Sequence, residues 1–272
     1  SRSGAPPTTR ISTLAIRGVI RVTRQTQRVL PGDVVEPAHA GVHGLMGTAA
    51  KEYPNWRVRS IDLPRDAAGA IVAAFDLPSH ADGNSWAYRA GQWYRLRLVP
   101  ADLRPRRAAY RQDGVYVIVG GAGGLGVVLT EYLQRNYAAQ VWWIGRRAHD
   151  DAIEARRQAL AAFGPIPQYL CADATDRDAL ERACRQIEAR HGVIHGVVHA
   201  AVAVEDRSLE RMDEATFRTS LAAKVDASVQ LAQVFAPRGL DFMLFFSSMQ
   251  SWARSVGQGN YAAGCAFKDA FA

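Results

Sequence analysis

Five apolar segments alternate with amphipathic segments between residues 115 and 248, and this alternation constrains the fold more than any other feature. Apolar strands joined by amphipathic helices favour a parallel sheet covered by helices on both faces. We therefore predict a doubly wound α/β domain. The predicted strands cover residues 115–119, 140–145, 167–173, 194–201 and 241–248. The predicted helices cover residues 125–137, 148–163, 176–191 and 215–235.

The region before residue 108 has a different sequence pattern, with many prolines and arginines between short segments in which apolar and polar residues alternate. We predict two units, residues 1–108 and residues 109–272, joined by a linker over residues 100–114. In the first unit, residues 70–77 (AIVAAFDL) and 92–99 (QWYRLRLV) are predicted strands, and residues 37–54 a helix between prolines. We expect His39 and His43 to pack or face solvent, without a catalytic role.

Composition narrows the class of protein. The net charge of +7 comes mostly from arginine, since 33 basic residues minus three lysines leaves 30. No basic run exceeds RPRR at residues 104–107, so nucleic-acid binding is not predicted, and an acidic partner or an anionic cofactor explains the charge equally well. The three cysteines have no metal-binding spacing, and no apolar stretch suits a signal peptide or a membrane span. We expect a metal-free protein in a reducing cytoplasm.

The segment GGAGGLG lies between the first predicted strand of the second unit and its helix, where a dinucleotide-binding loop belongs. There Gly120 permits a tight turn, Gly124 lets the backbone approach a pyrophosphate, and Gly126 packs the helix on the sheet. The helix amino terminus offers free N–H groups to phosphate. The alternative is a plain turn. The predicted cofactor loop comprises Gly120, Gly121, Ala122, Gly123, Gly124, Leu125 and Gly126.

The ends of the following strands indicate which dinucleotide binds. Arg146 and Arg147 follow the second strand, and guanidinium groups pair with phosphate, so NADPH is favoured over NADH. The alternative is two solvated arginines at a helix start. Asp173 ends the third strand, where its carboxylate can accept from an adenine amino group. The remaining predicted cofactor residues are Ala174, His199, Ala200 and Ala201, with His199 expected to pack in its strand rather than act as an acid or base.

Ser248 and Tyr261 are thirteen residues apart, a spacing that suggests a reductase in which a tyrosine hydroxyl protonates a carbonyl. A phenol with a pKa of about 10 needs a nearby cation for this work. The position one helical turn after Tyr261 holds Cys265 instead of lysine. Lys268 is two turns on and is expected to point along a surface. Lys224, among alanine and valine neighbours in the helix before the fifth strand, can approach from the other side.

These motifs together resemble the ketoreductases of polyketide synthases, within the short-chain dehydrogenase/reductase superfamily. The resemblance is carried by VIVGGAGGLG, GRR, CADATD, VVHAAV, LAAKVDASVQLAQVF and FFSSMQSWARSVGQGNYAAG. It implies catalysis by Lys224, Ser248 and Tyr261, with Lys224 and Tyr261 also touching the cofactor. Cys265 departs from the family's asparagine. The run YAAGC followed by FKDAFA resembles the branch whose acyltransferases act in trans. The first unit resembles the family's truncated, Rossmann-like structural subdomain, which binds no cofactor.

The resemblance implies NADPH-dependent reduction of a 3-ketoacyl group held by the phosphopantetheine of an acyl carrier protein, among neighbouring synthase domains. Two alternatives stay open: a catalytically silent scaffold, and a free-standing reductase of small alcohols. Asp206 matches the acid that marks enzymes making a D-hydroxyl (B-type), and Ala253 replaces the A-type tryptophan. Trp252, one position off on a segment expected to be extended, should point elsewhere. Candidate substrate and stereocontrol residues are Asp206, Met249 and Gln250. In the family a further strand and a helical lid follow the match to residue 272, so we expect this chain to be part of a longer polypeptide.

Overall fold

The computed structural model describes residues 18–67, 69–102 and 109–272, which form two sheets. The first sheet has the order β1-β2-β3-β4, with three parallel strands and β4 antiparallel to β3. Its strands are β1 (Gly18–Arg24), β2 (Arg57–Leu63), β3 (Ser85–Arg89) and β4 (Gln92–Arg95). Helix α1 (Gly41–Glu52) joins β1 to β2, and α2 (Ala70–Ala74) joins β2 to β3.

The second sheet is entirely parallel and has the order β7-β6-β5-β8-β9. Its strands are β5 (Val115–Val119), β6 (Gln140–Gly145), β7 (Gln168–Cys171), β8 (Gly196–His199) and β9 (Phe242–Phe245). The helices are α3 (Gly124–Tyr137), α4 (Asp151–Ala159), α5 (Arg177–His191), α6 (Glu214–Ala222), α7 (Val225–Phe235), α8 (Gln250–Ala253) and α9 (Gly259–Phe271). The predicted doubly wound α/β domain is confirmed.

The central strand β5 explains why the apolar runs are continuous. Val117 packs into the core on one face of the sheet and Ile118 into the core on the other, and both are fully buried. The chain runs from β5 outward through β6 to β7, then returns to add β8 and β9 on the opposite side. Loops after β5 and β8 therefore diverge and open a crevice at the carboxyl ends of the strands.

Two predicted elements of the first unit are wrong or too long. The strand predicted over residues 70–77 is instead helix α2 over residues 70–74, because the parallel strands β2 and β3 are neighbours and need a crossover between them. Ile71 and Ala74 lie on the inner face of α2 against Ile61, whereas Val72 is exposed. The strand predicted over residues 92–99 ends at Arg95.

The helix predicted over residues 215–235 is two helices, α6 and α7, separated by Ala223 and Lys224. Lys224 has φ −110° and ψ −44° at the start of α7, and its side chain is buried. The helix predicted from residue 148 begins at Asp151, because the Asp150 carboxylate caps it by accepting from the Ile153 amide. Part of the predicted linker, residues 103–108, lies outside the described residues.

Helix α1 of the first unit packs closely on α9 of the second. A Cβ built on Gly44 would stand 2.2 Å from the backbone oxygen of Ala262, so only glycine fits at this crossing. The Glu52 carboxylate at the end of α1 accepts from the backbone amides of Leu209 (2.6 Å) and Gly257 (2.9 Å). These contacts tie the first unit to both segments that flank the crevice. Within the described ranges, no helix is both long and apolar enough to span a membrane.

Candidate active site

A cleft of about 370 Å³ lies at the carboxyl ends of β5, β6, β7 and β8. It contains seven of the sixteen positions predicted to bind a cofactor. Its predicted members are Gly120, Gly123, Arg146, Asp173, Ala174, Ala200 and Ala201. Its other lining residues are Val119, Ile144, Gly145, Ala172, Thr175, Val202, Thr219, Ala222, Ala223 and Ala227. The strand ends thus converge on one concave surface.

The glycine loop has the shape that a pyrophosphate requires. Gly120 has φ +82°, and a Cβ on it would stand 2.7 Å from the Ala201 backbone, so the turn needs glycine. A Cβ on Gly126 would stand 2.4 Å from the Gly121 oxygen, so α3 packs directly on the loop. The space beside Gly124 is open within 4 Å, and Gly123, the residue before α3, provides no side-chain cap. These residues fit the phosphates of a dinucleotide, because the first amides of a helix have no partner within it and the space beside Gly124 is open.

The two predicted arginines have different surroundings. Arg146 lines the cleft, whereas the Arg147 guanidinium pairs with the Asp150 carboxylate at 2.9 Å. A third arginine was missed by sequence reasoning: Arg156, on α4, donates to the carbonyl of Ala122 in the glycine loop. Its position eleven residues after the end of β6 offered no motif to indicate this contact.

The far wall of the cleft was also missed. It is formed by Thr219 and Ala222 of α6 and by Ala223 directly after it, whose spacing of three and four residues places them on one face. On the opposite side, the Asp173 carboxylate accepts from the amide (2.9 Å) and hydroxyl (2.8 Å) of Thr175. Small residues on one helix face can indicate a surface that lines a cleft, but here they are recognisable only once α6 is known to end at Ala222.

The three predicted catalytic residues come together beside this cleft. Ser248 follows β9, and Tyr261 lies in the first turn of α9. The buried Lys224 approaches from the α6–α7 break, and its Nζ lies 4.4 Å from the centroid of the Tyr261 ring. The lysine side chain passes over α9 at Gly264, where a Cβ would stand 2.6 Å from Lys224 Cδ. The break that sequence reasoning missed is therefore what directs Lys224 inward.

The electrostatics of Tyr261 differ from the expectation. Burial, followed by the nearby Cys265, raises the pKa of the Tyr261 phenol above its ordinary value, while a hydrogen bond with Ser248 acts in the opposite direction. Lys224 lies over the ring face, which is attractive for a cation. Burial also raises the pKa of the Cys265 thiol, and Lys224 opposes that shift through its charge and a hydrogen bond. The fully buried Cys265 therefore interacts with both Tyr261 and Lys224.

Lys268 does not point along a surface, as the sequence suggested. It is 1% exposed, and its Nζ donates to the carbonyl of Phe246 at 3.2 Å. His199 is buried in β8, as expected, and burial together with the charges of Lys268 and Lys224 lowers its pKa to about 3. The imidazole is therefore neutral at physiological pH.

The predicted stereocontrol residues lie at the rim of the crevice. The Asp206 carboxylate accepts from Gln258 at 2.9 Å, and the neighbouring Glu205 carbonyl accepts from Asn260 at 2.9 Å. Asp206 is exposed, and its carboxylate is hydrogen-bonded to the segment that leads into Tyr261. Met249 is exposed, and the Gln250 amide donates to the Ser248 hydroxyl at 3.2 Å.

Two further observations concern the segment around Trp252 and metal binding. The segment around Trp252 is helix α8, not an extended stretch, and Trp252 lines a separate cavity of about 720 Å³ with Arg254 and Thr26. In the residues that the structure describes, no group of three or more histidines, cysteines or acids is placed to hold a metal ion.

Comparison with known proteins identifies the family. The KR domain family model matches residues 114–272. The chain is 50% identical over 92% of its length to polyketide synthase PksN of Bacillus subtilis, and 48% identical over 92% to polyketide synthase ThaG of Burkholderia thailandensis. Among solved structures, it matches the PlmKR1 ketoreductase from the first module of phoslactomycin biosynthesis in Streptomyces sp. HK803. That match has a TM-score of 0.82 and 29% identity, covering 93% of this chain and 60% of that one.

The chain spans only a small part of the length of these polyketide synthase relatives. It spans 5% of PksN and 4% of ThaG. The described fold, the cleft and the gathered residues agree with this family match. The chain belongs to the KR domain family: it is a polyketide synthase ketoreductase domain, an oxidoreductase of the class that uses a nicotinamide cofactor.

Proposed function

We propose that this domain uses NADPH to reduce the 3-keto group of a polyketide intermediate carried by an acyl carrier protein, giving a D-configured 3-hydroxyl. The observation that carries the proposal is the meeting of Lys224, Ser248 and Tyr261 at the edge of a cleft that fits a dinucleotide. Residues 1–108 serve as a structural subdomain in this proposal, since Glu52 and α1 hold the segments around the crevice.

The three residues divide the work on the ketone. The Ser248 hydroxyl hydrogen-bonds the ketone oxygen and orients it, and the Tyr261 hydroxyl donates its proton to that oxygen. The Lys224 ammonium stabilises the phenolate that forms and binds a ribose hydroxyl of the cofactor. When bound, the nicotinamide supplies the hydride. Because burial raises the pKa of Tyr261, the phenol holds its proton until the ketone oxygen gains negative charge.

The choice of NADPH rests on Arg146. Its guanidinium lines the cleft and can form charged hydrogen bonds with the 2′-phosphate, which NADH lacks. The glycine loop holds the pyrophosphate, and Asp173 faces the adenine end. Arg147 contributes less, because Asp150 already engages its guanidinium.

The stereochemical proposal rests on Asp206. Its contact with Gln258 orders the loop beside Tyr261 on one side of the crevice, so the phosphopantetheine arm enters from a defined side. We expect a D-hydroxy product from a carrier- or pantetheine-bound 3-ketoacyl substrate. Chiral chromatography of the product tests this, and a predominantly L product would remove Asp206 from the stereochemical assignment.

The central test is Tyr261→Phe. Loss of the hydroxyl should lower ketone reduction by about 10²–10⁴-fold, while NADPH affinity, measured by fluorescence titration, stays nearly unchanged. Near-normal turnover in this variant would exclude Tyr261 as the proton donor. Cys265→Ser serves as a matched change on the same helix face and should keep most of the activity.

A catalytically silent scaffold is the second candidate, and two observations favour it. Cys265 replaces the family's asparagine, and Lys224 lies over the Tyr261 ring while the phenol's pKa is raised. A scaffold would bind NADPH without oxidising it in the presence of any carrier-bound 3-ketoacyl thioester. Measurable NADPH oxidation that Tyr261→Phe abolishes would exclude the scaffold.

A further inference from the structure

Lys268 is a buried lysine that the proposed mechanism does not use. It lies on α9 seven residues after Tyr261, is 1% exposed, and donates to the Phe246 carbonyl at 3.2 Å. No carboxylate oxygen of the described residues lies within 4.0 Å of its Nζ. Burying an ammonium group without a carboxylate partner costs free energy, so the site must favour the neutral amine or stabilise the charge in another way.

The second buried lysine lies on the same face of α9. Lys224 is 2% exposed and crosses α9 at Gly264, between Tyr261 and Lys268. Positions 261, 264 and 268 are three and four residues apart, so they form one stripe along the helix. In the described part of the chain, Lys224 likewise has no carboxylate oxygen within 4.0 Å.

The other groups around this pair add no compensating negative charge. His199 from β8 is neutral, and the Cys265 thiol stays protonated because burial raises its pKa. Asp269 follows Lys268 but is exposed. Helix α1 packs on another face of α9, at Ala262 and Ala263, and the end of β9 offers the Phe246 carbonyl.

Two buried ammonium groups along one face of α9 cannot both stay charged at little cost, because desolvation and mutual repulsion act together. Burial, followed by the charge of Lys224, lowers the pKa of Lys268 to about 7, and Cys265 only partly opposes this. Near pH 7 the Lys268 amine is therefore only partly protonated.

We propose that Lys268 and Lys224 form a buried pair that shares one proton, and that Lys268 is the member through which the pair takes up a proton from solvent to restore the Tyr261 hydroxyl. The second part rests on the proposed reductase function. Lys268 suits this role because it adjoins the exposed Asp269 in sequence and hydrogen-bonds Phe246, which precedes the exposed Ser247.

The proton balance is as follows. The Tyr261 O–H bond breaks and the product O–H bond forms. A Lys224 N–H bond then breaks as the phenolate regains its proton, which leaves both lysines neutral. Lys268 takes one proton from a hydronium ion or a buffer acid and passes it to the Lys224 amine. One proton from solvent thus replaces the proton delivered to the product.

The charge-sharing part can be tested without turnover, because the chain has only three lysines, Lys51, Lys224 and Lys268. We would label the full chain with ¹³Cε-lysine and follow the three resonances by NMR from pH 5.5 to 10.5, with Lys51→Arg and Lys268→Met for assignment. The Lys268 resonance should titrate near pH 7. A midpoint above pH 9 would overturn the proposal.

The proton-uptake part is tested by kinetics. Lys268→Met should lower kcat by about tenfold with KM for NADPH within twofold, and should remove the decline of kcat as pH rises through 7. Lys268→Arg, which cannot release a proton, should be slow at every pH. An unchanged kcat–pH profile in Lys268→Met would overturn proton uptake through Lys268.

The matched control is Lys51→Arg, which keeps a surface charge paired with Asp82 and should keep the wild-type profile. Failure of this inference is distinguishable from failure of the proposed function. If Lys268 titrates normally, the shared-proton pair is wrong even when ketones are reduced. If Tyr261→Phe is active, the catalytic assignment is wrong even when Lys268 titrates near 7.

Discussion

Gly44→Ala tests whether the first unit positions the catalytic tyrosine. The added Cβ would stand 2.2 Å from the Ala262 oxygen, 2.4 Å from the Ala262 carbonyl carbon and 2.6 Å from the Ala263 nitrogen. All three are backbone atoms of α9, so no side chain can rotate away. An ordinary contact needs about 3.4 Å, and 3.4 − 2.2 leaves about 1.2 Å by which α1 and α9 must separate.

The magnitude follows from two opposing effects. Overpacking costs about 1–3 kcal/mol, whereas alanine in place of glycine inside a helix gains up to about 1 kcal/mol. We therefore expect the free energy of unfolding to fall by about 1–2 kcal/mol. Activity should fall further, because Tyr261 precedes Ala262 on α9 while Ser248 lies outside that helix. A displacement of about 1 Å between reacting groups can cost on the order of 10²-fold in rate.

The assay compares urea unfolding, kcat and NADPH affinity in one set of variants. Gly41→Ala is the matched control one turn earlier, where the Cβ would meet the Ala263 oxygen at 3.0 Å and needs only a few tenths of an ångström. NADPH affinity should stay unchanged in both, since the cleft lies on other elements. Wild-type kcat in Gly44→Ala, or an equal loss in Gly41→Ala, would refute the role of this crossing.

Three further predictions concern cofactor choice, the rim and acid stability. Arg146→Ala should weaken NADPH binding by about tenfold or more and NADH binding little, since charged hydrogen bonds contribute about 1.5–3 kcal/mol each. Arg147→Ala is the matched control. Equal losses of affinity for both cofactors in Arg146→Ala would contradict the assignment. Glu52→Gln weakens two charge-assisted contacts to Leu209 and Gly257, so kcat and product stereopurity should fall while NADPH affinity holds; an unaltered product ratio and rate would show that these segments order themselves. Burial lowers the pKa of His43 to about 4 from 6.5, so the unfolded state binds more protons between these pH values. The free energy of unfolding should therefore decline as pH falls from 6.5 toward 4, by up to about 3 kcal/mol. Urea unfolding at pH 7.5 and 4.5 measures this decline, and an equal decline in His43→Gln would remove His43 as its source.

The sequence alone determined the catalytic half of the fold, because its signals are local. The central strand of the second sheet is buried on both faces, so its apolar run is continuous over Val115–Val119. The loop after this strand needs glycine because the tight turn from strand to helix requires a positive φ at Gly120 and a close backbone approach at Gly126. Both requirements are local to this segment. The positions of Arg146 and Asp173 follow from strand ends that must meet at one edge of a parallel sheet.

Tertiary structure decided what depends on contacts between distant segments. Residues 70–74 form a helix because β2 and β3 are parallel neighbours, a pairing that their own alternation does not reveal. The break before Lys224 cannot be predicted from good helix formers, yet it directs the lysine toward Tyr261. Lys268 was expected at a surface because lysine usually lies there. Its burial follows from the packing of α9 against the end of β9, which no local pattern encodes.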